Sequence, residues 1–197
     1  KFNKIDLATN YPINNNLNSF RLSENIVEKW IKKNNVNDLK LIIKIGSEDN
    51  SGSANNNLNY DNILKNFEYY SEKFKNNLWN IMIHWDSRNN KKEIIETINA
   101  LKVIKNQNIH IGLSGIKYMN IYSRVLFENN LIPLIECKHN LYESFVTTYK
   151  EYFPSNKIYV YGINLGGLNL SNIYDEKNSI SMRRIDTSKY ENFLKKL

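Results

Sequence analysis

Short apolar runs alternate with longer amphipathic segments along most of the chain. The runs cover 4–8, 39–45, 78–85, 109–114, 132–137 and 157–161. Most are continuously apolar, as expected of strands buried on both faces. The segments between them carry a helical period. Residues 23–33 set Ile26, Val27, Trp30 and Ile31 on one face, and 60–74 do the same with Tyr60, Ile63, Leu64, Phe67 and Phe74. Residues 91–105 carry Ile94, Ile98 and Leu101 on one side and Glu96, Lys102 and Lys105 elsewhere. Two further helices are predicted over 119–130 and 142–153, the second closed by Pro154.

This strand–helix alternation predicts a parallel sheet with right-handed crossovers. Two architectures fit, a doubly wound open sheet and a barrel of the TIM type. The turn after the first run, Asp6-Leu7-Ala8-Thr9-Asn10, has no glycine, which weighs against a dinucleotide fingerprint. Six strands are fewer than the eight of a complete barrel. The polar stretch 47–59 reads as a long loop after the second strand.

Composition narrows the function classes. The net charge is +7, but the lysines are spread in ones and twos and no basic block interleaves with aromatics. Asparagine accounts for 35 of the 197 residues, alongside abundant Lys, Ile and Tyr. That is a source-genome bias, so no nucleic-acid partner is expected. The single cysteine, Cys137, excludes an internal disulfide and a cysteine-based zinc cluster. It is expected to be a small buried hydrophobe in a reducing, cytoplasmic compartment. No apolar run approaches a membrane span, and no membrane partner or metal is expected.

In a parallel barrel the functional residues stand at the C-terminal ends of the strands. Those ends offer Asp6 and Tyr11, then Lys44, then His84. A lysine inside Leu39-Lys40-Leu41-Ile42-Ile43-Lys44-Ile45 is costly to bury without a carboxylate partner. A carboxylate, a lysine, a tyrosine and a histidine at one barrel mouth outline a proton-transfer site. His110 and His139 are expected to be structural. Ser114 lacks the surroundings of a nucleophile elbow.

Several of these segments, in order, resemble the aldo/keto reductases. Ile5-Asp6-Leu7-Ala8-Thr9-Asn10-Tyr11 is similar to that family's F-D-T-A-x-x-Y, and Ile43-Lys44-Ile45-Gly46 to its T-K-x-G. Ile83-His84-Trp85 resembles L-H-W, and Ile111-Gly112-Leu113-Ser114 resembles I-G-L-S-N. The helix ETINALKVIKNQ is similar to E-x-x-x-A-L-x-x-L-x-x-x-G, and Tyr161 through Leu168 to Y-S-P-L-x-x-G-L.

The resemblance implies an incomplete TIM-type (β/α) barrel over residues 1–170, followed by a polar tail over 171–197 with room for a short helix. It implies reduction of a carbonyl, in an aldehyde, ketone or sugar, to an alcohol. The hydride donor would be NADPH, with NADH as the alternative. Tyr11 would be the general acid, Lys44 and Asp6 its support, and His84 the group orienting the carbonyl. Ser114, Glu136 and Tyr161 would line the nicotinamide site, and Trp85 would wall the substrate pocket. The Lys44 ammonium is expected to lower the Tyr11 pKa from its usual value near 10.

The sequence departs from that pattern at Gly115 (family Asn), Glu136 (family Gln) and Gly162-Ile163 (family Ser-Pro). The family's first and last barrel strands have no counterpart, so the chain reads as a segment of a longer protein. It is expected to hold NADPH weakly by itself unless the tail residues Arg183 and Arg184 substitute. A non-catalytic nucleotide-binding or regulatory relative of the same fold is the alternative reading.

Overall fold

The computed structural model describes residues 3–52, 55–140 and 142–163. Strands β1 (Lys4–Ala8), β2 (Lys40–Ile45), β3 (Leu78–His84), β4 (His110–Ser114), β5 (Leu134–Lys138) and β6 (Ile158–Tyr161) form one sheet. They pair in chain order, all parallel. Helices α1 (Leu22–Asn34), α2 (Tyr60–Phe74), α3 (Lys91–Asn106), α4 (Met119–Glu128) and α5 (Val146–Tyr152) make the crossovers. A doubly wound sheet reverses its strand order partway, and this sheet never does.

The sheet is curled. Lys44 on β2 and Glu136 on β5 are three strand spacings apart, about 14 Å across a flat sheet. Their charged atoms nonetheless lie 3.2 Å apart. A surface concave on that side brings them together with both side chains standing off the sheet. The architecture is an incomplete TIM-type α/β barrel.

Alternate residues of each strand serve two different interiors. Outward-facing Leu41, Ile43, Ile45, Ile81, Ile83, Leu113, Ile135 and Cys137 pack under the helices with Ile63, Ile94, Ile98, Leu101 and Tyr122. The expectation for Cys137 holds: it is a buried thiol of this core. The concave face has a small apolar floor of Ile42, Met82 and Leu134, joined by Trp79 and Tyr159. Gly112 belongs to that floor, where an added Cβ would lie 2.6 Å from the Met82 methyl. The helices start on asparagine caps where the sequence offers them. Asn59 accepts from the Asn62 amide at 2.8 Å and Asn90 from the Lys92 amide at 3.0 Å.

Several predicted boundaries and faces are corrected. In α1, Ile26 and Trp30 are 58% and 49% exposed, whereas Glu24 is fully buried. The cause is polar: Glu24 accepts hydrogen bonds from Tyr70, Tyr69 and Lys73 of α2, which turns its side of the helix inward. Strand β5 begins at Leu134, because Pro133 has no amide to donate and Ile132 points to solvent. Helix α5 begins at Val146 because the preceding residues form a turn. Asn140 accepts there from the Tyr142 and Glu143 amides at 2.9 and 2.8 Å. The segment ending at Leu168 falls partly, and Ser181, Arg183, Arg184 and the rest of the tail wholly, outside the described residues. Among the described residues no helix is long and apolar enough to cross a membrane.

Candidate active site

Strand register decides what shares the concave face. Ala8 pairs with Lys44, His84 with Ser114, Ser114 with Glu136, and Glu136 with Tyr159. His84, Ser114 and Glu136 therefore point inward in one upper layer, and Lys44, which pairs with Met82, points inward one layer lower. Asp6 pairs with Ile42 in the layer below. From there its carboxylate contacts the Lys44 ammonium directly.

Tyr11 is supplied by the loop after β1, and two loops brace one another to hold it. The Tyr11 carbonyl accepts from the Ser23 amide at 3.3 Å and from the Ser23 hydroxyl at 3.2 Å. Asn50, fully buried in the loop after β2, donates to the Pro12 carbonyl at 3.2 Å and the Asn16 carbonyl at 2.8 Å. The polar stretch after β2, predicted as a loop, is thus a clamp on the Tyr11 loop.

The four expected groups converge. Lys44 Nζ lies 5.3 Å from the centre of the Tyr11 ring. The Tyr11 and His84 rings meet edge to face at 6.4 Å between centres. Lys44 and His84 are buried, at 2% and 3% exposure. Glu136 belongs to the same cluster. Its Oε2 is 3.2 Å and its Oε1 3.5 Å from Lys44 Nζ. Beside the nicotinamide role expected of it, its carboxylate faces the lysine.

The protonation states follow from this crowding. Burial pushes the Asp6 carboxyl up to about 7; Lys44 opposes the shift and Glu136 adds to it. About a third of the Asp6 side chain remains open, 35%, although its carboxyl is enclosed by the cluster. Burial works to lower the Lys44 pKa, but Tyr11, Glu136 and Asp6 around it outweigh burial and raise it. The lysine stays charged. Burial and the Lys44 charge hold His84 down at about 3, so the imidazole is neutral. The expectation for Tyr11 is corrected. Lys44 does pull the phenol down, but burial is the larger cause, Asp6 and Glu136 push with it, and the net shift is upward.

The remaining expected residues sit around this centre. Trp85 follows β3 with φ +57°, and its indole lies beside His84, 4.4 Å between ring centres. Gly115 has φ +67°, and an added Cβ would stand 2.6 Å from Trp85 Cδ1. The indole thus occupies the space beside residue 115, which is a physical reason for glycine there. Ser114 is buried on the inner face. Tyr161 ends β6 with 41% of its surface exposed and its phenol pushed up to about 12 by burial and Glu136. It borders a recess of about 320 Å³ shared with Gly115, Lys117, Cys137 and Lys138. A recess of about 430 Å³ at the opposite ends of the strands, between α4 and α5, holds none of these residues.

His110 and His139 lie apart, as expected. His110 opens β4 with its ring tilted on Trp79 at 4.6 Å, and His139 Nδ1 is 2.8 Å from the Ser144 hydroxyl. Sequence reasoning missed a second buried network just past His84, where Asp86 binds Arg88 and Tyr122. Its only signal was an aspartate and an arginine two apart after a strand. Among the described residues no group of three or more His, Cys, Asp or Glu is placed to hold a metal ion.

No family model matches the sequence, and no curated protein matches it. Solved structures do. A glycerol dehydrogenase from Gluconobacter oxydans superposes with a TM-score of 0.69 at 21% identity, over 98% of this chain and 61% of its own. An aldo/keto reductase from Brucella melitensis gives 0.62 at 20% identity, over 85% and 59%. An aldo-keto reductase from a Medee basin deep-sea metagenome library gives 0.58 at 17%, over 81% and 53%. The chain spans between 53% and 61% of the length of these proteins. At such identities the likeness is one of fold, part of a TIM-type α/β barrel.

Proposed function

We propose that this chain carries the proton-donating half of a nicotinamide-dependent carbonyl reductase. The observation that supports the reading is the convergence of Tyr11, Lys44, Asp6 and His84 on one concave face of this fold. Oxidoreductase chemistry is also what the solved structures of the same fold are named for.

The roles follow from the groups themselves. Tyr11 gives its phenolic proton to the carbonyl oxygen as that oxygen gains negative charge. Lys44 stands ready to stabilise the phenolate left behind, and Asp6 fixes the ammonium in place. His84, neutral and buried, offers an N–H to orient the same carbonyl without adding charge. Trp85 shields one side of the substrate position. A reduced nicotinamide, when bound, supplies the hydride.

The residues around the site suit its nicotinamide end. Tyr161 presents a partly exposed ring for stacking. Ser114 brings a hydroxyl, and the buried Glu136 Oε2 has no hydrogen-bond donor of its own, which suits the amino group of a carboxamide. NADPH, with NADH second, is the cofactor proposed, and a small aldehyde, ketone or sugar the substrate.

One observation favours the second reading, a binding or regulatory relative without turnover. The Tyr11 phenol is raised rather than lowered, which makes it a poorer acid. Turnover of a generic aldehyde with NADPH, followed beside cofactor fluorescence, separates the two. Tyr11→Phe is expected to cut turnover about 10²–10⁴-fold while leaving cofactor binding intact. Activity kept within about tenfold, about 1.4 kcal/mol of barrier, overturns the assignment.

A further inference from the structure

Lys44 faces more negative charge than one lysine neutralises. Asp6 reaches it from β1 and Glu136 from β5. An ammonium has three N–H groups. The Asp6 contact takes one and Glu136 crowds the approach to another. Lys44 is 2% exposed, so bulk water does little to screen the arrangement. Two carboxylates and one ammonium leave the cluster short of positive charge, on the side where Tyr11 lies 5.3 Å away.

We propose that Glu136 is a positioning residue that competes with Tyr11 for the Lys44 ammonium and thereby sets how readily the phenol gives up its proton. The inference rests on the reading of Tyr11 as the proton donor. Glu136 does not touch the reacting carbonyl in this account; it acts through Lys44.

Three features carry it. Glu136 is 6% exposed, so its charge is felt undiluted by solvent. Both its oxygens face Lys44 Nζ, Oε2 at 3.2 Å and Oε1 accepting a long hydrogen bond at 3.5 Å, so the carboxylate competes directly for the ammonium. The other titratable groups on the concave face do not cancel it. At the alkaline pH where Tyr11 titrates, Asp6 is a second anion, His84 is neutral, Tyr159 and Tyr161 on β6 are phenols, and the Lys138 ammonium is already paired with Glu143. Its register neighbour Ser114 carries no charge. Electrostatics gives the direction: Glu136 raises the Tyr11 pKa where Lys44 lowers it.

The test replaces the charge and keeps the shape. Glu136→Gln is made in the full chain, alone and with Tyr11→Phe. The ultraviolet phenolate signal of each background minus its Tyr11→Phe partner isolates Tyr11 from the other tyrosines. In Glu136→Gln the Tyr11 phenolate is expected to appear at lower pH, with a severalfold larger population at any pH on the rising limb. Glu136→Asp keeps the charge and is expected to titrate with the parent. Should Glu136→Gln not fold, Glu136→Ser is a second neutral variant with the same expectation. A Tyr11 titration that stays put or moves upward in the neutral variants overturns the proposal. The readout needs no turnover, so a chain inert toward carbonyls would defeat the reductase reading and leave the outcome for Glu136 standing on its own.

Discussion

Two buried carboxylate–cation networks lie within a few residues of each other along the strand ends, and they are built to opposite standards. Asp86 is matched with Arg88, whose second carboxylate, Glu93 at 4.0 Å, is half open to solvent. Asp86 accepts from the Arg88 amide and Nε at 2.9 Å each and from Nη2 at 2.7 Å, and Tyr122 adds its hydroxyl. Arg88 then reaches the Thr97 hydroxyl at 2.8 Å, which itself donates to the Leu58 carbonyl at 2.7 Å. Charge cancels and each partner has a fixed place. At Lys44 one cation faces two carboxylates, while Glu136 Oε2 and His84 Nδ1 are buried with no hydrogen-bond partner. Asp86 joins the chain after β3 to α3 and α4. The Lys44 cluster links β1, β2 and β5, yet it leaves Glu136 Oε2 and His84 Nδ1 unmet and open to a ligand or a proton. Satisfaction is what a structural network shows, and the unmet atoms beside Lys44 are those the proposed site would use.

Breaking each network should therefore give different kinds of loss. Asp86→Ala strands Arg88 and the Tyr122 hydroxyl in the interior. It is expected to cost about 3–5 kcal/mol of unfolding free energy in urea titrations. A loss below about 1 kcal/mol would mean the network is idle. Lys44→Met strands two carboxylates instead, and these can respond by binding a proton. The expected stability loss is smaller than for Asp86→Ala and grows with pH, larger at about pH 8 than at about pH 5. A loss that is equal at both would show that Asp6 and Glu136 do not depend on Lys44 for their charge.

The contrast also explains what the chain disclosed in advance. Continuous apolar runs and helical periods placed six strands and five helices, because burial against two layers leaves few polar positions in a parallel strand. Asp6, Tyr11, Lys44 and His84 stood out because each is costly or odd in its local context, and the strand register together with the loop after β1 gathered them. Glu136 was visible as a residue but not as a partner of Lys44. That contact depends on the curl of the sheet, which brings β2 and β5 together and is written in no local pattern. The raised Tyr11 phenol was illegible for the same reason: it is a balance of burial, Asp6 and Glu136 against Lys44, charges that come from three strands. Helix α1 misled because periodicity ranks Ile26 and Trp30 as inward, whereas the hydrogen bonds that bury Glu24 come from a helix 36 or more residues away. Gly115 read as a missing amide and proved to be the space the Trp85 indole requires.

The finest prediction opposes two members of the Lys44 cluster through their linkage to folding. Asp6 titrates at about 7 in the folded chain, above the usual carboxylate value of about 3.9. Between those two values the folded state holds more protons than the unfolded one, so Asp6 makes stability fall as pH rises, and the cost levels off above about 7. His84 titrates at about 3, below the usual imidazole value of about 6.5. Across that interval the unfolded state holds the extra proton, so His84 makes stability rise with pH and lends its full contribution above about 6.5. The windows overlap from about pH 4 to about pH 6.5, and there the two slopes oppose each other. The parent chain is expected to show only a shallow pH dependence in that range. Asp6→Asn should uncover the rising slope of His84, approaching one proton or about 1.4 kcal/mol per pH unit. His84→Gln should uncover the falling slope of Asp6, less steep because that side chain is about a third open to solvent and its proton is partly screened. Urea titrations at several pH values on the three proteins give the slopes directly. Slopes of the same sign in the two variants would show that the cluster does not set these protons against each other.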